Sequence, residues 1–127
     1  MYRWVEHTAE LELAIEGASE EEVFAEAVAA FAELLGDEAA DGQSREIQLS
    51  ADDRAAQLVE LLEEIVFLAD ASGFIPESLD ELDLSGKRAR VSGHEGVPRP
   101  LVKAVTYHGL VFRPTPAGWE ARLVLDV

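Results

Sequence analysis

Near the amino terminus, Leu11, Leu13 and Ile15 alternate with Glu10, Glu12 and Glu16, the period of two expected of a strand with one buried face. The polar run Glu6-His7-Thr8-Ala9-Glu10 comes just before and reads as the entry to that strand. Ser19-Glu20-Glu21-Glu22 then forms a capping box, with Ser19 at the N-cap and Glu22 three residues on. The three glutamates also suit the positive end of a helix dipole. From there the period lengthens to 3.6: Val23, Ala27, Phe31 and Leu34 make one stripe, Phe24, Val28 and Leu35 lie beside it, and Gly36 can end the helix. Residues 45–49 alternate as a short strand, and 50–53 open a second helix with Leu58, Leu62, Ile65 and Val66 on one side. Asp70-Ala-Ser-Gly73 stops it. Leu79, Leu82 and Leu84 sit in an acidic stretch of no defined type; residues 87–91 and 102–112 read as strands. Residues 113–118 carry turn chemistry, and 119–127 alternate to the last residue. The pattern predicts one α+β domain over residues 1–127, a two-layer arrangement with two helices packed on one face of a mostly antiparallel sheet.

The first and last strands make a specific pairing. Set antiparallel with Leu11 against Leu125, they also bring Leu13 to Leu123 and Ile15 to Ala121, so one side is wholly apolar. On the other side Ala14 meets Arg122 and Glu12 meets Val124. Glu10 then stands opposite Asp126. Two carboxylates directly across a strand pair repel unless a proton or cation intervenes. Oxygen donors, including a terminal carboxylate or carbonyl of Val127, suit a hard cation such as Ca²⁺, Mg²⁺ or Mn²⁺. The bland alternative is that both side chains fan into water.

Charge narrows the functions. The chain has 26 acidic and 10 basic residues, a net charge of −16. Residues 1–86 hold 23 Asp/Glu and 3 Lys/Arg, whereas 87–127 hold 3 and 7. A body so acidic repels phosphate backbones, which argues against nucleic-acid binding over a broad surface. At 48% hydrophobic residues the chain is not of the disordered class. It has no cysteine, which excludes disulfides and thiolate zinc sites. No apolar run is long enough to span a bilayer and the first residues form no signal peptide, so a cytoplasmic address is expected.

A second polar cluster lies in Val102-Lys-Ala-Val-Thr-Tyr-His108. Alternation sends Lys103, Val105 and Tyr107 to one face and Val102, Ala104, Thr106 and His108 to the other. A solvated strand accounts for Lys103 and His108; the sharper reading joins them to His7 in one site. No nucleophile triad and no Gly-rich phosphate loop is recognisable. His7 and Glu10 have an H-x-x-E spacing, but on a strand rather than the helix that zinc sites of that spacing use. Two function classes remain open from the residues alone: a small metal-dependent hydrolase using His7, Glu10, His108 and Asp126, and an acidic interaction domain without catalysis.

Glu6-His7-Thr8-Ala9-Glu10, the helical residues 58–68, Val102-Lys-Ala-Val-Thr-Tyr-His108 and the terminal Leu125-Asp-Val127 occur in the order and places of the archease family, which the chain resembles over nearly its whole length. The resemblance implies an α+β fold and a protein that is not itself an enzyme. Such proteins assist an RtcB-type RNA ligase in tRNA splicing or RNA repair, promoting guanylylation of the ligase's active-site histidine and its repeated turnover. RNA is then met only through the ligase, and no membrane is involved. The resemblance also implies a divalent-ion site, calcium first with magnesium or manganese as alternatives. Its ligands fall on Glu10, Asp126 and Val127, with Glu6, His7, Lys103 and His108 lining the site or facing the partner. Two departures stand out. Glutamate occupies positions 6 and 10, where the family usually has aspartate. The segment 93–101 is shorter than usual, with His94 and Arg99 as candidate substitutes for a basic-His element.

Overall fold

The computed structural model describes residues 1–7, 10–36, 42–99 and 102–127, with the side chains of Glu6 and His7 outside the described set. In chain order the elements are β1 (Tyr2–His7), β2 (Glu10–Gly17), α1 (Glu20–Leu35), β3 (Gln43–Gln48), α2 (Arg54–Ser72), β4 (Phe74–Asp83), β5 (Arg88–Glu95), β6 (Ala104–Thr115) and β7 (Gly118–Asp126). The helix ends follow from local chemistry. Ser19 Oγ accepts the Glu22 N–H at 3.1 Å, and the Glu22 carboxylate reaches back to the N–H of Ala18 at 3.2 Å, one residue before the cap. The Asp53 carboxylate accepts the Ala56 N–H at 2.9 Å to start α2. Gly73 closes that helix in the left-handed region, at φ 70°. Gly36 closes α1 differently, in an extended conformation with its N–H donating to the Ala32 carbonyl.

The α+β architecture is the expected one, but its strands divide between two sheets. One has four strands in the order β1-β2-β7-β6; the other has three in the order β3-β5-β4, and every pairing is antiparallel. The polar run 6–10 is not the entry to an isolated strand. It lies between β1 and β2, a hairpin in which His7 and Glu10 are register partners; Thr8 and Ala9 of that run are outside the described residues. β1 is short and at the sheet edge, so only Tyr2 and Trp4 pack toward the core and its alternation is faint. The acidic stretch after α2 is β4, whose period of two is hidden by register shifts between Pro76 and Ser78 and between Leu79 and Glu81.

Each helix packs on strands of both sheets: α1 on β2, β7 and β4, α2 on β6 and β4. Phe24, Phe31, Leu58, Leu62 and Ile65 from the helices meet Leu13, Leu123, Leu125 and Phe74 from the strands, all fully buried. Each such side chain contributes about 1.5–3 kcal/mol by leaving water. The four-stranded sheet thereby has one face committed to the core and one free of helices, and the residues of the free face decide the chemistry.

Candidate metal centre

β2 and β7 are the two central strands of the four-stranded sheet. Their register is Leu11 with Leu125, Leu13 with Leu123, Ile15 with Ala121, and Glu10 with Asp126. Apolar burial sets which face turns inward, since Leu13, Ile15, Ala121, Leu123 and Leu125 are all at or below 1% exposure; a shift by two residues would keep that face, so the register itself is set by the ladder. In this register Glu10 and Asp126 stand side by side on the helix-free face, at the end of the pair, where both are exposed. The row continues across the sheet, with His7 paired to Glu10 and Ala104 paired to Asp126. The main chain here is anchored as well, because the Lys103 N–H donates to the Asp126 carbonyl at 2.8 Å.

This row brings together two carboxylates that form no ion pair with a cation among the described residues, beside the main-chain oxygens of Val127 and the small side chain of Ala104. All-oxygen donors at a solvent-open end match hard divalent cations rather than zinc. Glu10 and Asp126 alone are two side-chain ligands. Among the described residues no group of three His, Cys, Asp or Glu side chains is close enough to hold an ion. The other donors at this end are the oxygens of Val127 and water; Glu6 and His7, expected to line the site, have side chains outside the described set. In donor chemistry the residues fit a calcium-, magnesium- or manganese-type ion.

The other candidates separate from this row. His108 lies in the stretch of β6 between Thr106 and Val111 that has no register partner on β7; it is exposed, and its N–H donates to Thr106 Oγ1 at 3.3 Å. That is beyond the Thr106–Val124 row, so the strand register does not align His108 with Glu10 and Asp126 as the hydrolase grouping requires. The Lys103 side chain is exposed and faces away from the row, into a cleft of about 790 Å³ shared with Glu63, Phe67, Asp70 and Arg99. His94 and Arg99 take structural places. His94 is buried in β5 with Nδ1 3.8 Å from a Glu77 carboxylate oxygen. Arg99 donates from Nη1 to the Glu33 carbonyl at 3.1 Å and from its N–H to the Leu35 carbonyl at 2.9 Å, tying the segment to the end of α1. Pro100 and Leu101 of the shortened segment are outside the described residues.

The family model described as the Archease protein family matches residues 2–127. The chain belongs to the archease family. Among its relatives, "Protein archease" of Methanosarcina mazei is 31% identical over 99% of this chain and 95% of that protein. The archease of Pyrococcus abyssi is 29% identical over the full length of both. The solution structure of protein 1598 from Methanobacterium thermoautotrophicum superposes with a TM-score of 0.71 at 27% identity, covering 99% of this chain and 98% of that one. The crystal structure of an archease from Thermotoga maritima, described as a possible chaperone, matches with a TM-score of 0.70 over 100% and 98% of the two chains; at 22% identity it shows the shared fold. Archeases of archaeal and bacterial origin thus share this two-sheet, two-helix arrangement across nearly their whole length.

Proposed function

We propose that this archease is a protein cofactor of an RtcB-type RNA ligase, promoting guanylylation of the ligase and its repeated turnover in tRNA splicing or RNA repair. Family membership supports the reading, and one observation carries it at the level of residues: the Glu10–Asp126 pair at the exposed end of the central strands. A bound divalent ion would supply the positive charge that relieves this pair and that phosphate oxygens can share. The chain's own residues then have distinct tasks. Glu10 and Asp126 hold charge at the end of the sheet, where the rigid β2–β7 core fixes their spacing. The Asp126 carbonyl, held by the Lys103 N–H, keeps the last residues from fraying. The Lys103 ammonium faces the cleft beside that end and offers a cation to a partner's phosphate or carboxylate.

In this reading the protein performs no bond chemistry. It stabilises the ligase conformation that leads to guanylylation, which is catalysis by differential binding of states. RNA is met through the ligase, as the net charge of −16 favours. Among the described residues no helix is long and apolar enough to cross a membrane. A reconstituted ligation assay at excess RNA over ligase tests the proposal. Stimulation is expected in the wild type and lost in Glu10→Ala, Asp126→Ala and Lys103→Ala; full stimulation by all three variants refutes it.

A further inference from the structure

The helix-free face of the four-stranded sheet carries a pair of arginines four residues along from Glu10 and Asp126, beyond the row of Glu12. Ala14 on β2 has Arg3 of β1 as its register partner on one side and Arg122 of β7 on the other. Register partners share a face, so both arginines rise from the same side of the sheet as the small Ala14 side chain between them. Strands lie about 4.8 Å apart, which sets the two arginine Cα atoms about 10 Å apart with nothing larger than a methyl group in the gap. A depression of about 230 Å³ lies there, with Arg3, Ala14, Glu16, Glu120 and Arg122 in its walls.

Their placement singles them out: two cations on one face of an acidic protein, across Ala14, with Glu12 and Glu16 as its neighbours along β2. Acidic residues outnumber basic ones by 26 to 10, so a cation left without a carboxylate is unexpected on electrostatic grounds. Five of the other eight cations have a carboxylate partner, whereas Arg45 lies over the Phe74 ring and Lys103 faces the cleft. Arg54 meets Glu20 at 3.0 Å, Lys87 meets Asp52 at 2.6 Å, and Arg88 and Arg90 lie 3.8 Å from Asp83 and Glu81. Arg113 pairs with Glu120, which occupies the nearest carboxylate on β7. Among the described residues, neither Arg3 nor Arg122 makes an ion pair or hydrogen bond through its side chain. Both are exposed. Guanidinium groups present a rigid fork of donors that matches the oxygens of a phosphate, and two forks facing each other over a small residue can grip one phosphate from both sides.

We infer that Arg3 and Arg122, set across Ala14, form a phosphate-binding site on the open face of the sheet. It takes a phosphate group of a nucleotide or of a nucleic-acid strand. A single-phosphate contact is compatible with an acidic body that resists a long polyanion, because the two arginines outweigh the field only within about a Debye length. The site stands apart from the Glu10–Asp126 end of the sheet.

Nitrogen–proton NMR of the wild-type protein at low salt tests it, with three probes: inorganic phosphate, a nucleoside 5′-monophosphate, and a short single-stranded RNA without terminal phosphates. The Ala14 amide and the Nε–H signals of Arg3 and Arg122 are expected to shift together. A shift with phosphate or the monophosphate identifies a single phosphate group as the ligand. A shift with RNA alone identifies an internal phosphodiester. Arg3→Ala and Arg122→Ala should each weaken the affinity about tenfold, since each removes a charge-assisted donor set. Arg88→Ala, on the other sheet, serves as a control of equal charge change. No shift at these three groups with any probe overturns the inference, as does an equal loss of affinity in the control.

Discussion

Asp126→Asn should move the thermal midpoint in opposite directions with and without a divalent ion. In the ion-free protein Glu10 and Asp126 are like charges directly across a strand pair, an arrangement that costs about 0.2–1 kcal/mol. The amide removes that cost. Unfolding entropy of about 2.1 cal/mol/K per residue over 127 residues makes 1 kcal/mol worth about 4 °C, so the chelated variant should melt about 1–4 °C above the chelated wild type. An ion bound at a hundred times its dissociation constant stabilises the folded state by about 2.7 kcal/mol, or about 10 °C on the same scale. The variant, with one carboxylate gone, should gain only a small part of that. The assay is thermal unfolding followed by circular dichroism in chelator, then in excess Ca²⁺, Mg²⁺ or Mn²⁺. The two melting curves should exchange order when the ion is added. A wild-type midpoint unmoved by all three ions, or an equal rise in Asp126→Asn, refutes the assignment of these residues as ligands.

Two further outcomes test the scaffold. In Gly93→Ala the added Cβ would lie 2.2 Å from the Ile75 carbonyl oxygen and 2.6 Å from Phe74 Cζ, so the urea midpoint should fall by the equivalent of about 1–3 kcal/mol; a loss below about 0.5 kcal/mol would show that the β4–β5 pair yields easily. Burial works against ionisation of Glu60, but the Ser50 hydroxyl at 2.7 Å, the Ser50 and Ala51 N–H groups at 2.9 and 2.6 Å, and the Lys87 charge outweigh it and hold the carboxyl below its ordinary range. Its stabilisation is therefore complete above the unfolded value of about 4.3 and is lost as pH falls through the lower folded value. Glu60→Gln should cost about 1 kcal/mol at pH 7 and show a flatter loss of stability below pH of about 4; parallel pH profiles would count against the carboxylate's role.

The sequence was legible wherever burial is one-sided and continuous. Leu11, Leu13 and Ile15 against Ala121, Leu123 and Leu125 admit a register that seats every apolar residue inward and sets Glu10 beside Asp126; a shift by two residues seats them equally well, and the structure has the first register. The caps at Ser19, Asp53 and Gly73 were equally readable, because their chemistry is local. β1 was not. Tyr2 and Trp4 are only partly buried at an edge, and the His7–Glu10 pairing merges its polar end with the next strand. β4 was hidden by two bulges and by Pro76, which break the period that identifies strands. The division into two sheets depends on which distant strands meet, and no local signal encodes that. Arg122 was legible opposite Ala14, but Arg3 was not, since it reaches Ala14 only through the β1 pairing.

The link between β5 and β6, residues 96–103, carries the chain from the three-stranded sheet back to the four-stranded one. It contributes no register to the β2–β7 pair, and Val97 within it is 94% exposed. Position 97 precedes both anchors of the link, the ties of Arg99 to α1 and of Lys103 to Asp126, so chain added there leaves the spacing of Glu10 and Asp126 as the central strands set it. For the experimenter, position 97 is where a longer relative's segment can be transplanted and its effect on partner choice read separately from its effect on metal binding.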